Sequence, residues 1–150
     1  MPGIKSLEAQ QYYAHPRNLF WHFMAELFDF DFPAGYAQCI EQLLKRKIAV
    51  WDVLQHCQRP GSLDSDIHND SIITNDFESF YHHHIHIHHV FFNGKKAEQV
   101  YRQKVLPHLP DNMQQIKIVA LPSTSPANAS ITKQQKYQQW QQVRQVLNNN

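Results

Sequence analysis

Three short apolar runs, separated by segments with helical periodicity, constrain the fold of this chain more than any other feature. They occupy residues 48–51, 89–92 and 116–121. None alternates cleanly between apolar and polar side chains, which is typical of strands covered on both faces. Because strands that alternate with helices form parallel sheets, the pattern predicts an α/β fold, a three-layer α/β/α sandwich with a short central parallel sheet.

Two helices are expected before the first run, after a loop at residues 1–16. Apolar residues recur at helical spacing over 19–28, and a proline and a glycine then interrupt the pattern. The second helix is expected to end in the basic cluster at 45–47, because cations are favourable at the carboxyl end of a helix.

Three further helices are predicted. One begins at Asn75, the expected N-cap, with Glu78 at capping-box spacing, and another occupies about 95–105. The last follows Thr132, with Gln135 at the same spacing, and has a polar, glutamine-rich face. Its apolar face is expected to contain Tyr137, Trp140, Val143 and Leu147.

The composition is that of one cytoplasmic, globular domain. We expect the 150 residues to form one domain over 1–150, with a disordered tail at 148–150. A hydrophobic content of 42% with 18% charged residues excludes a disordered chain. There is no apolar run of the roughly 18 residues that cross a bilayer, and no signal-peptide pattern. Cys39 and Cys57 are therefore expected to stay reduced, and a net charge of +1 neither requires nor excludes nucleic acid.

Polar segments follow all three predicted strands, where an open parallel sheet binds its ligands. Asp52 follows the first strand, Asn93 the second and residues 122–128 the third. The third segment is rich in hydroxyls and stiffened by two prolines, which favours a grip on phosphate oxygens through Ser side chains and backbone N–H groups. Ordinary turn chemistry explains the same composition and stays open as the alternative. The candidate residues are Ser123, Thr124, Ser125, Pro126 and Asn128.

A second candidate segment spans residues 11–18, where two tyrosines stand beside His, Arg and Asn. Aromatic rings of this kind can stack on a nucleobase while a polar amide acts beside them. The alternative is a surface loop that packs its aromatic rings on the core. The residues by themselves leave both interpretations open.

Several motifs, taken in order, resemble those of the uracil-DNA glycosylase superfamily. The branch is the one called DNA-deoxyinosine (hypoxanthine) glycosylase, close to mismatch-specific uracil-DNA glycosylase. Segments 54–63, 91–94 and 121–129 extend the resemblance over nearly the whole chain. The first motif comprises Met1-Pro2-Gly3, Ser6-Leu7-Glu8, Tyr12-Tyr13-Ala14-His15-Pro16-Arg17-Asn18 and Phe20-Trp21.

The resemblance implies a monofunctional DNA glycosylase of base-excision repair. Such an enzyme hydrolyses the bond between a deaminated base and deoxyribose, with no metal or organic cofactor. The implied partner is DNA that contains a deaminated base, and the implied form is a monomer without membrane attachment.

The resemblance also implies roles for individual residues. Tyr13 resembles the aromatic residue on which a flipped base stacks, and Asn18 the catalytic amide that orients water toward the sugar. Asp52 stands where uracil-specific relatives carry an asparagine that reads the base edge. Because an ionised Asp only accepts hydrogen bonds, this change favours hypoxanthine, with uracil and xanthine as alternatives. Asn93 is assigned to base binding, and the loop 123–128 to the DNA backbone and the gap left by the flipped base.

One departure from the family pattern affects the expected activity. Family members carry a strand and a Gly-Ser pair directly before Met-Pro-Gly, and this chain begins at that methionine. We therefore expect the first family strand to be missing, and we hypothesise a start codon placed too late, which the upstream codons test. The alternative function is a catalytically impaired DNA-binding remnant, which retains DNA without releasing a base.

A histidine-rich run suggests a further alternative, a metal-binding module. Imidazole is a common metal ligand, and alternate positions of a strand share one face. No cysteine or acidic cluster accompanies the run, so we expect no metal site there. The run contains His82, His83, His84, His86, His88 and His89.

Overall fold

The structure of this protein is a computed structural model that describes residues 2–60 and 66–148. Three parts of the sequence predictions lie outside the described residues. They are Met1 of the first motif, residues 61–64 of the polar segment after the first predicted strand, and residues 149–150 of the predicted tail.

The chain forms two compact units. The continuous unit is Asp52–Leu121, and the discontinuous unit combines Pro2–Trp51 with Pro122–Asn150. The α-helices of the described residues are α1 (Ile4–Ala9), α2 (Phe20–Phe28), α3 (Tyr36–Lys45), α4 (Phe77–His83), α5 (Lys95–Lys104), α6 (Asp111–Gln114) and α7 (Lys133–Asn148). Their strands are β1 (Leu54–His56), β2 (Ile73–Thr74), β3 (His89–Asn93) and β4 (Lys117–Leu121), and short 3-10 helices occupy Asn69–Ser71 and Leu106–His108.

The pair β3–β4 confirms two of the three predicted strands, and they are parallel as expected. The register runs from His89 beside Lys117 to Asn93 beside Leu121. Gly94 then leaves the sheet with φ 105° and donates its N–H to Leu121 O at 2.9 Å, in a conformation that glycine adopts without strain. The following helix, α5, packs on both strands. Asn93 therefore lies at the carboxyl end of its strand, as predicted.

The first predicted strand, at 48–51, is wrong. Ile48 N–H donates to Leu43 O at 3.0 Å. Lys47, in the left-handed region at φ 57°, donates to Leu44 O at 2.9 Å. These two bonds form a Schellman cap at the end of α3, so the apolar residue that suggested a strand closes a helix instead.

Strand structure begins later, at β1, which pairs antiparallel with β2. Among the residues that the structure describes, the parallel sheet therefore contains two strands. Asp52 consequently precedes a strand of an antiparallel pair, whereas the sequence pattern placed it after a parallel one.

Two other local predictions are wrong. Residues 1–16 are not entirely loop, because they contain α1, which at six residues is too short to produce a periodic signal. The N-cap of α4 is Asp76, whose Oδ1 accepts the Ser79 N–H at 2.9 Å. Asn75, the predicted cap, instead donates its side-chain amide to Asp52 O at 2.7 Å.

The continuous unit has an apolar core between its sheet and its helices. Within this core the hydroxyls of Tyr81 and Tyr101 share a hydrogen bond of 2.9 Å, and burial raises the pKa of both. Both hydroxyls are thereby satisfied without water. The buried core residues are Val53, Leu54, Cys57, Ile67, Phe77, Tyr81, Phe92, Val100, Tyr101, Val105, Leu109 and Met113.

The discontinuous unit is built on α2 and α7, which pack against each other. Thr132 and Gln135 form the predicted capping box at the start of α7, with reciprocal bonds of 2.9 and 3.2 Å. Trp140 and Val143 are buried, as expected of the apolar face. Lys136 is buried as well and lies on the same face, one turn before Trp140.

In the described parts of the chain, no helix combines the length and the apolar character needed to cross a membrane.

Candidate active site

Tyr13 presents its ring from a strained backbone. Its φ is 56°, in the left-handed region that bulky residues rarely adopt. The ring stacks on Phe20, with centroids 4.0 Å apart and planes inclined by 25°. Because the side chain is half-buried, part of it remains accessible, so the packing interpretation and the ligand-stacking interpretation are compatible.

Side chains from three elements hold the backbone on either side of Tyr13. The N–H of the preceding residue donates to Tyr36 Oη at 3.1 Å, and its carbonyl accepts from Trp21 Nε1 at 2.9 Å. The N–H of the following residue donates to Ser6 Oγ, which is buried, at 3.1 Å. Strained residues persist where the surroundings over-determine them, and such residues are concentrated at functional sites.

Asn18 has its side-chain amide fixed by the start of α2. Its Oδ1 accepts the Phe20 N–H at 3.0 Å, and its own backbone N–H donates to His15 O at 2.8 Å. A carbonyl oxygen has two lone pairs, so Oδ1 retains the capacity to accept a second hydrogen bond. The residue is half-buried, which permits a small molecule such as water to reach this amide.

The loop that follows β4, residues 122–128, folds on itself through its hydroxyls. Ser123 Oγ accepts the N–H of Ser125, and Ser125 Oγ accepts that of Ala127, both at 3.2 Å. Asn128 bonds back into the loop through its backbone N–H and its side chain. These backbone N–H groups therefore have partners inside the loop, and the predicted grip on phosphate oxygens stays a prediction. The two hydroxyls act as acceptors here, which leaves their own hydrogens available to donate.

The same loop is anchored to the helices of its unit at three points. The N–H of Leu19 donates to Thr124 O at 3.1 Å, and the Thr124 side chain is completely buried. Trp140 Nε1 donates to Pro122 O at 2.9 Å. The Trp140 ring also lies edge-on to Phe20, 5.8 Å between centroids. The discontinuous unit thus brings Tyr13, Asn18 and the 122–128 loop together around the first turn of α2.

Lys136 supplies the third anchor of the loop. It is only 3% exposed, and its Nζ donates to Asn128 O at 2.5 Å. Burial lowers the pKa of this lysine. Sequence reasoning missed Lys136 because a charged residue in a glutamine-rich stretch was not considered for burial. Its helical spacing to Trp140 and Val143 is the signal that could have placed it on the apolar face.

The continuous unit contains the two remaining predicted residues, Asp52 and Asn93. Both are half-buried. The Asp52 carbonyl is bonded by Asn75, and the neighbouring Val53 O accepts the Asn75 backbone N–H at 3.0 Å, so a single side chain and its backbone fix this segment. Asn93 ends β3, directly before Gly94. Their predicted base-binding roles stay predictions.

The histidine run spans the end of α4 and the start of β3. His83 Nδ1 is hydrogen-bonded to Ser79 O at 2.7 Å, while burial, Lys117 and His88 lower the pKa of His89. Over the described ranges, no group of three or more His, Cys, Asp or Glu side chains is placed to hold a metal ion.

The fold and the candidate site together define the class of protein to which this chain belongs. The chain is an α/β protein in which a parallel strand pair is followed by a helix, and its aromatic, amide and hydroxyl groups lie on loops that helices hold in place. Loops on a rigid scaffold are where binding and catalytic residues are concentrated. The family is the Uracil DNA glycosylase superfamily, whose family model matches residues 1–147, and the chain belongs to it.

Two proteins that are similar in sequence to this chain have the same name. A protein of Methanosarcina barkeri named "Hypoxanthine DNA glycosylase" is 34% identical over 98 residues, which are 65% of this chain and 61% of that protein. A protein of Methanosarcina acetivorans with the same name is 31% identical over 116 residues, 71% of this chain and 72% of that protein. The match therefore spans about three fifths of the length of the M. barkeri relative.

A solved structure is also similar. It is a solution NMR structure of a candidate uracil DNA glycosylase from Methanosarcina acetivorans, with a TM-score of 0.78 and 28% identity over 98% of this chain and 86% of that one. The α/β sandwich prediction and the predicted membership in the superfamily are confirmed by these matches.

Proposed function

We propose that this protein is a DNA glycosylase that removes a deaminated base, with hypoxanthine as the preferred base. The observation that carries the proposal is the grouping of Tyr13, Asn18 and the 122–128 loop around the start of α2. The grouping combines a stacking ring, an oriented amide and a hydroxyl-rich loop. Membership in the superfamily and the name of the two relatives support the same function.

The proposed reaction is hydrolysis of the bond between the base and C1′ of deoxyribose. The oxygen of water forms a bond to C1′, and the C1′–N bond breaks with its electron pair passing to the base. The water proton and the base anion combine, so the products are a free base and an abasic site. An extruded base must be held in place while this occurs, and stacking on Tyr13 supplies that hold.

Asn18 is the proposed catalytic residue. The Phe20 N–H fixes which way its amide points, so Oδ1 can accept a hydrogen from water and direct the water oxygen at C1′. The carbonyl dipole also favours positive charge that develops on the sugar in the transition state. Both effects depend on the carbonyl oxygen and on its fixed orientation.

Asp52 is the proposed residue for the edge of the base. Hypoxanthine and uracil each carry a ring N–H that can donate to a carboxylate, but two carbonyl groups flank that N–H in uracil and only one flanks it in hypoxanthine. An ionised carboxylate has no hydrogen with which to meet the additional carbonyl oxygen. This favours hypoxanthine over uracil. Asn93 is proposed to contact the base as well, through the amide at the end of β3.

The decisive experiment compares oligonucleotides that contain one hypoxanthine, xanthine or uracil. We expect abasic sites to form fastest at hypoxanthine, measured as strand breaks after alkaline treatment. Fastest release of uracil would contradict the assignment of Asp52. DNA retention without any abasic product would instead support a non-catalytic binding protein.

Asn18→Ala provides the test of the catalytic residue. We expect a fall in the rate of base release of about 10²–10³-fold, the usual cost of one electrostatic catalytic group. Asn18→Asp is the matched control, because it retains an oxygen acceptor for the Phe20 N–H and for water. We expect it to keep at least about tenfold more activity than Asn18→Ala. Equal, wild-type rates in both variants would remove Asn18 from the mechanism.

A further inference from the structure

The ammonium group of Lys136 is buried, where a positive charge is energetically unfavourable. Its side chain is 97% buried, and no carboxylate within the described residues forms an ion pair with it. The position lies in the first turn of α7, where the positive end of the helix dipole also disfavours a cation. A buried ammonium without a counter-charge destabilises a protein unless something else offsets the cost.

The hydrogen bond of Lys136 indicates that this residue positions the 122–128 loop. Its Nζ bonds Asn128 O at one end of the 122–128 loop, while Trp140, one turn further along α7, bonds Pro122 O at the other end. Two side chains on one face of α7 therefore fix both ends of the loop. The two serine hydroxyls inside the loop accept backbone N–H groups, and each still has its own hydrogen to donate.

These groups share one chemical property. An ammonium and two hydroxyls are all hydrogen-bond donors, and phosphate oxygens accept from such donors. The missing counter-charge of Lys136 is what a phosphate would supply.

We propose that Lys136 is a positioning residue for DNA binding, which closes the 122–128 loop through Asn128 and whose charge is neutralised by a DNA phosphate received at this loop. The proposal rests on the proposed function, because it takes DNA as the ligand. It adds a residue that the motif comparison does not assign.

The test measures DNA affinity of the full chain against salt concentration. Lys136→Met removes the charge and the donor, and Lys136→Gln removes the charge but keeps a donor. Lys133→Met is the matched control, because Lys133 is an exposed lysine at the start of the same helix. The probe is a duplex oligonucleotide with one hypoxanthine, and Kd is measured by fluorescence anisotropy.

We expect Lys136→Met to weaken binding about tenfold and to reduce the slope of log K against log salt by about 0.9, the value for one phosphate contact. Lys136→Gln is expected to reduce the slope equally while it weakens binding less. Lys133→Met is expected to change affinity less than twofold. The thermal midpoint of Lys136→Met should be within a few degrees of wild type, because the lost contact is offset by removal of a buried charge.

Three results would overturn the inference. They are an unchanged salt slope in both Lys136 variants, an equal effect in Lys133→Met, and unfolding of both Lys136 variants, which would make the lysine a structural residue. Failure of the proposed function has a different signature, because wild-type protein would then bind the oligonucleotide without releasing the base. The slope comparison needs binding alone and remains decisive in that case.

Discussion

Different kinds of contact stabilise the inside of each of the two units of this protein. The continuous unit depends on a strand ladder and on a contiguous apolar core. The loops of the discontinuous unit depend on single hydrogen bonds between side chains and the backbone. The hydroxyls of Ser6 and Tyr36 accept backbone N–H groups, and Trp21, Trp140 and Lys136 donate to backbone carbonyls. Apolar packing tolerates small adjustments, whereas a directed bond fixes one backbone atom in one place. The difference separates residues that maintain the fold from residues that shape the site.

The largest expected effect is a loss of stability in the continuous unit, caused by Phe92→Ala. Phe92 is 3% exposed in the core, and truncation of such a ring costs about 3–5 kcal/mol. At about 2–4 °C per kcal/mol for a chain of this size, calorimetry should record a fall in the thermal midpoint of roughly 10 °C. Base release at low temperature should stay near the wild-type rate. Phe91→Ala, at a half-buried neighbour, should cost clearly less. If Phe92→Ala also lost most of its base release at low temperature, the distinction between residues that maintain the fold and residues that shape the site would be refuted.

The next effect concerns Tyr13→Ala in the discontinuous unit. Stacking of a base on an aromatic ring contributes about 1–3 kcal/mol, so kcat/KM for base release should fall about 5- to 150-fold. Tyr13→Phe keeps the ring on Phe20 and should stay within about twofold of wild type. If both variants lose activity equally, the hydroxyl and not the ring face is what matters.

The smallest expected effects on stability and activity are those of Ser6→Ala and Ser71→Ala, which compare one serine from each unit. Each serine hydroxyl accepts one backbone N–H, at 3.1 Å from Ala14 in the discontinuous unit and at 2.8 Å from Gln58 in the continuous unit. Ser6→Ala should lose about 1 kcal/mol of unfolding free energy in urea titration. Ser71→Ala should lose at least as much, because the Ser71 hydroxyl also donates to His68 O at 2.6 Å. Only Ser6→Ala should also lower kcat/KM, by a few-fold, because Ser6 is the one of these two serines that bonds the backbone beside Tyr13. Equal activity in the two variants would refute the role of Ser6.

Much of the scaffold could be predicted from the sequence, because local pattern and final structure agree there. The apolar runs of β3 and β4 form strands, and the Thr132–Gln135 spacing forms its capping box. Where prediction failed, a nonlocal bond or a backbone reversal decided the result. Ile48 belongs to a helix cap because Lys47 adopts a left-handed conformation, which no apolar pattern encodes.

The candidate site could be predicted in its residue types but not in its supports. Motif resemblance selected Tyr13 and Asn18, and the structure places both beside Phe20. Ser6 and Lys136 could not be found in this way. Their importance comes from contacts with backbone atoms eight residues away along the chain, which periodicity and composition do not register.

The bond from Leu19 N–H to Thr124 O links residues more than one hundred positions apart, and this has a consequence for the order of events during synthesis. The amino-terminal tyrosine and asparagine leave the ribosome early, yet the loop and helix that steady them are among the last segments translated. The residues from 52 to 121 can condense first, since all their partners are already present. A chain shortened to end before residue 122 would therefore retain the residues of the continuous unit but lack the loop and helix that hold the first turn of α2, next to Tyr13 and Asn18.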